Sequence, residues 1–141
     1  MRWADQLIKL SNFELELLQT RLAEVVDRRT RAELKLAVLV AGGEAEIAIA
    51  HTDPEAARSL PAYREGLKQR KAAVQREIDL ASTEEAGARE ALGEAFETLK
   101  KYEHVADSAR AAEARETARR ETAALDEIAL RRAMGRAAGR R

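Results

Sequence analysis

The chain has 141 residues, with 25 Lys or Arg balanced by 25 Asp or Glu, no Cys, two Pro and one Trp. Ala, Leu, Glu, Arg and Lys fill 90 positions, beyond the level that marks a long helix or coiled coil, whereas Leu, Ile, Val and Phe fill only 29. So little bulky apolar matter excludes a compact enzyme with a deep pocket, and the chain is expected to bury a narrow stripe instead of a thick core.

The opening run Met1-Arg2-Trp3-Ala4-Asp5-Gln6 carries an acid early and lacks the apolar stretch of a signal peptide. Helix-forming sequence without proline then predicts a first helix from near Trp3 to near Ala50. Its apolar seam runs through Ala4, Ile8, Ser11, Leu15, Leu18, Leu22, Val25, Arg29, Ala32, Leu36 and Leu39, alternating steps of three and four. Gly42-Gly43 weakens this helix by roughly 1 kcal/mol per glycine relative to alanine, or ends it early.

Both prolines, Pro54 and Pro61, fall in one stretch, which predicts a bend over about 51–60. Thr52 and Asp53 are N-cap types before a proline, and Pro61 suits the first turn of a second helix. That helix is expected from Pro61 to near Met134, followed by a basic tail over 135–141. Its seam runs through Leu67, Lys71, Val74, Ile78, Ala81, Glu85, Ala88, Leu92, Ala95, Leu99, Tyr102, Ala106 and Ala109.

Folding the chain at the bend brings the two seams into one antiparallel register. Ile8 then meets Ala106, Leu22 meets Leu92, Leu36 meets Ile78 and Leu39 meets Val74. The two charged breaks in the seams, Arg29 and Glu85, also meet, so that each offsets part of the other's desolvation and together they set the register. The bland alternative is that both side chains snorkel to water. The fold class that follows is all-α: a single-domain antiparallel two-helix coiled-coil hairpin, monomeric in isolation. At 1.5 Å per residue the first helix is about 70 Å long and the second about 110 Å. The second therefore projects beyond the first, and the projecting part has no intrachain partner. Alone, such a segment is marginal in water and is expected to fray.

Chemistry-bearing patterns are sparse. The chain has no phosphate-binding glycine loop, no HExxH and no nucleophile elbow. His104 with Asp107 lacks a third ligand, and the many glutamates suit a solvated helix face. Neither catalysis, a cofactor nor a metal is expected. No run of 18 apolar residues is present, so no membrane insertion is expected, and zero net charge argues against a nucleic-acid binder. The absence of Cys suits a cytoplasmic protein. The charge is uneven, however: Arg131, Arg132, Arg136, Arg140 and Arg141 crowd the end of the chain, with no acid after Glu127. Three readings stand side by side, namely a complement to the helix dipole, a contact to nucleic acid or anionic lipid, and a dock for an acidic protein surface. Leu125 and Ile128 beside the arginines favour protein contact.

The segment Leu125-Asp126-Glu127-Ile128-Ala129-Leu130-Arg131-Arg132-Ala133-Met134, in a short hairpin with a longer second helix, resembles the FliJ family of flagellar type III export proteins. The run Arg2-Trp3-Ala4-Asp5-Gln6-Leu7-Ile8-Lys9-Leu10 looks like its alphaproteobacterial members, and the terminal segment departs from the family pattern at Ile128 and Gly135. The resemblance implies a central stalk that binds a hexameric flagellar export ATPase, promotes its assembly, and links it to the export gate membrane protein and to export chaperones. It implies a ring-binding set of Leu125, Asp126, Glu127, Ile128, Arg131, Arg132 and Met134 with Trp3 and Leu7. It also implies a cytoplasmic protein, peripherally associated with the inner membrane at the flagellar base. A stalk of a virulence-type secretion system, or a generic coiled-coil scaffold, is the alternative.

Overall fold

A computed structural model describes residues 2–139, and side chains from residue 3 onward. The fold is all-α, a helical hairpin of α1 (Arg2–Ala50) and α2 (Pro54–Gly139). The turn between them is short and fully accounted for by hydrogen bonds. Backbone N–H groups of Thr52 and Asp53 both donate to the Ile49 carbonyl at 3.0 Å, and Thr52 Oγ1 donates to the same oxygen at 3.2 Å. Asp53 Oδ1 then accepts from the Glu55 N–H at 3.0 Å, the geometry of an N-cap.

The bend is therefore residues 51–53, shorter than the expected 51–60, and α2 begins at Pro54. The reason lies in the competition between two prolines. Pro54 follows a capping aspartate and occupies the first helical position, where a missing N–H costs nothing. Pro61 sits inside the helix instead. The carbonyl four residues before it, that of Ala57, loses its helical donor, but Ala57 is exposed and its carbonyl faces water. At its far end α2 runs to Gly139, past Met134, where a tail was expected. No glycine among the described residues has a positive φ, so neither Gly135 nor Gly139 forms the left-handed cap that would stop the helix sooner. Arg140 and Arg141 lie outside the described residues.

The chain falls into two compact units, Phe13–Phe96 and Met1–Asn12 with Glu97–Arg141. In Phe13–Phe96 the buried seam consists of Val25 and Ala32 on α1 and Val74, Ala81 and Ala88 on α2. Small side chains dominate, so the helices approach closely and bury little area per layer. Leu39 and Val74 line one surface groove together, and Leu22 and Leu92 line another, in keeping with the expected register. Gly43 is buried in this seam under the Leu67 side chain: a Cβ there would lie 2.6 Å from Leu67 Cδ2. The glycine pair thus does not end α1; it makes room for Leu67.

In the unit formed by Met1–Asn12 and Glu97–Arg141, Ala4 and Ser11 are buried on α1 and Leu99 and Ala106 on α2. Arg110 Nη2 reaches Asp5 Oδ1 at 2.7 Å and ties the start of α1 to α2. Beyond Arg110, α2 continues for more than seven turns with every described residue exposed except a half-covered Glu116, which holds Arg119 and Arg120.

Candidate docking end of the second helix

Two places in the molecule depart from a plain apolar seam. The first is the charged layer of Arg29 and Glu85. Arg29 Nε lies 2.7 Å from Glu85 Oε2, close enough for an ion pair but out of line for a hydrogen bond. Glu85, which is buried, is better satisfied than its partner: its Oε1 accepts from Arg89 Nε at 3.2 Å and Nη2 at 2.8 Å. Arg29 leans outward as well, with Nη1 donating to Glu33 Oε1 at 3.3 Å. The layer is thus a cross-helix pair: Glu85 stays buried and does not snorkel, and only Arg29 is partly exposed. Sequence reasoning missed Arg89, although an arginine four residues after a seam glutamate is a legible signal.

The second is the exposed run of α2. Leu125, Ile128, Leu130 and Met134 are all exposed, with no intrachain apolar partner among the described residues. At 3.6 residues per turn they do not form one patch. Leu125, Ile128 and Arg132 share one face, and Arg136 continues it; Leu130 and Met134 fall nearly opposite, and Asp126 lies to the side. Arg131 is occupied by Glu127, whose Oε1 accepts from its Nη2 at 2.8 Å. Arg132 and Arg136 have no ion-pair partner among the described residues, so they are the available cations. Arg136 was not in the set inferred from sequence; the helical wheel drawn through Leu125 and Ile128 finds it.

The structure separates the remaining members of that set. Trp3 is exposed and Leu7 half-buried, and the Asp5–Arg110 pair fixes them beside the Arg110 stretch of α2, well short of its end. From there to Leu125 is about 20 Å along the helix at 1.5 Å per residue. Trp3 and Leu7 therefore flank the exposed run without joining its face. No group of acidic, His or Cys residues able to hold a metal is found among the described residues, and no described helix is long and apolar enough to cross a membrane.

Two long antiparallel helices with a polar register layer, and a far end of the second left uncovered, define the class of coiled-coil hairpin proteins. Within that class the chain belongs to the FliJ family: the model of the flagellar FliJ protein matches residues 5–138. The flagellar FliJ proteins of Caulobacter vibrioides strains NA1000 / CB15N and ATCC 19089 / CIP 103742 / CB 15 are each 48% identical over 132 residues, covering 94% of this chain and 95% of theirs. No solved structure matches the chain. Membership makes this protein a component of the flagellar export apparatus.

Proposed function

We propose that the protein is the central stalk of the export apparatus, binding the hexameric export ATPase through the exposed end of α2. The observation that carries this reading is the face of Leu125, Ile128, Arg132 and Arg136, apolar then basic, on a helix with nothing packed against it. A well-formed helix with an uncovered aliphatic pair and two unpaired guanidinium groups suits an acidic, partly apolar protein socket. The stalk promotes ring assembly with no hydrolytic activity of its own. Links to the export gate and to export chaperones, at the cytoplasmic face of the inner membrane, complete the role that the family suggests.

Truncation after Ala124 tests the reading. The shortened chain is expected to melt as the full-length protein does, because the removed residues bury nothing intramolecularly, yet to lose binding to the export ATPase and stimulation of it. Changing Arg132 and Arg136 to Glu is expected to weaken binding more than changing both to Gln, since repulsion is added to lost attraction. Ring binding undiminished by the truncation would move the working surface to another part of the hairpin.

A further inference from the structure

The buried seam of the Phe13–Phe96 unit stops short of the turn. Val25, Ala32 and Gly43 are buried on α1, and Val74, Ala81, Glu85 and Ala88 on α2, but no residue from 44 to 73 is. In that stretch Ile47, Leu60, Tyr63 and Leu67 are only half-buried, and Ile49 is 48% exposed. Ionic ties end at nearly the same level. Lys35–Glu77 is the last pair to cross between the helices, and among the described residues none crosses from there to the turn.

Residues that weaken a helix gather where the seam ends. Gly42 and Gly43 stand against the stretch from Tyr63 to Leu67: a Cβ on Gly42 would lie 3.8 Å from the Tyr63 hydroxyl, and one on Gly43 would meet Leu67. Gly66 lies in that stretch with nothing within 4 Å of its Cβ position, and Pro61, five residues earlier, withholds a donor from the Ala57 carbonyl. Gly42 and Gly66 both have room for a methyl, so packing requires neither glycine, and each costs its helix more than any residue but proline would. We propose that the turn end of the hairpin is a separately opening tip, hinged at Gly42 on α1 and Gly66 on α2. Opening it exposes half-buried side chains and breaks no ion pair between the helices. Opening the rest exposes the seam of Val25, Ala81 and Ala88 and strands buried Glu85. The bonds of Thr52 and the Asp53 cap are internal to the turn, so they shape the tip without tying it to the body. The tip thus opens and bends while the Arg29–Glu85 layer stays closed.

The test is amide hydrogen exchange of the full-length protein, read by NMR at a series of low urea concentrations. Amides over 46–50 and 58–65 are expected to exchange about a hundredfold or more faster than those around Val25 and Ala81, at similar rates to one another and with a shallow urea dependence. Ala81→Gly destabilises the body, and it is expected to speed exchange around Val25 about threefold or more while leaving the tip amides unchanged. Gly42→Ala combined with Gly66→Ala is expected to slow the tip amides about tenfold. Tip amides that speed up in step with Ala81→Gly would make the hairpin one cooperative unit and overturn the proposal. Rates that climb steadily toward the turn, with no break at the two glycines, would reduce it to fraying. Tip exchange unmoved by the two alanines would remove the hinge.

Discussion

At the scale of single residues, the seam is sensitive where it is charged and where it is tightest. Replacing Arg29 by Ala removes one of the two cations that compensate buried Glu85, leaving Arg89 alone. The loss is expected to be about 1–3 kcal/mol. Replacing both Arg29 and Glu85 by Leu removes the charge and its partner together and is expected to cost less, because the layer becomes an ordinary apolar one. Melting curves of the two variants check this, and equal midpoints would mean that Arg29 acts from solvent. Gly43 supplies a second contrast. Gly43→Ala gains up to about 1 kcal/mol of helix propensity but places a methyl 2.6 Å from Leu67 Cδ2, so the end of the Leu67 side chain must turn aside and give up packing. The gain is expected to fall short of the full propensity difference. Gly87→Ala, with nothing within 4 Å of the added carbon, is expected to gain most of that propensity. Urea titrations should show the larger gain for Gly87→Ala.

At the scale of elements, α2 has two regimes. Residues from Pro54 to Arg110 are held by a partner helix, and those beyond Arg110 by their own backbone hydrogen bonds and by local pairs such as Arg119–Glu116 and Arg131–Glu127. Exposed pairs of this kind contribute a few tenths of a kcal/mol each, and an isolated helix of this length is marginal. Amide hydrogens over 115–139 are therefore expected to exchange orders of magnitude faster than those around Val25 and Val74, as mass spectrometry or NMR can follow. On the proposed reading, binding to the export ATPase should slow that exchange. The start of α2 depends on its cap, and Asp53→Ala is expected to destabilise the hairpin by about 1 kcal/mol, since the Glu55 N–H loses its acceptor.

At the scale of the whole molecule, charge is balanced at 25 against 25. The cross-helix pairs Arg28–Glu84, Lys35–Glu77 and Asp5–Arg110 lie on exposed flanks, where screening leaves each worth less than about 1 kcal/mol. Added salt is thus expected to leave the melting temperature nearly unchanged while weakening any interaction made by Arg132 and Arg136, whose charges have no internal partner. Parallel melting and ATPase-binding series across ionic strength would show the two responses apart.

The two helices, their antiparallel pairing and the Arg29–Glu85 layer were legible in the sequence, because heptad spacing and proline placement are local signals repeated many times. So was the exposed terminal segment, which has no seam residues left to face it. Other features depended on distances across the hairpin. Pro61 was read as a helix start because its preference for the first turn is local, whereas the Asp53 cap and Pro54 at the first helical position let the helix begin seven residues earlier. Gly42 and Gly43 looked like a weak point, and only the approach of Leu67 shows that one of them is a packing requirement. Trp3 and Leu7 belonged with Leu125 by proximity to the chain ends, but the Asp5–Arg110 tie sets them apart along α2. Periodicity determines which faces of a helix are buried; what stands across from a given residue is decided by register and by the closeness of the partner backbone, and these exist only once the helices have packed.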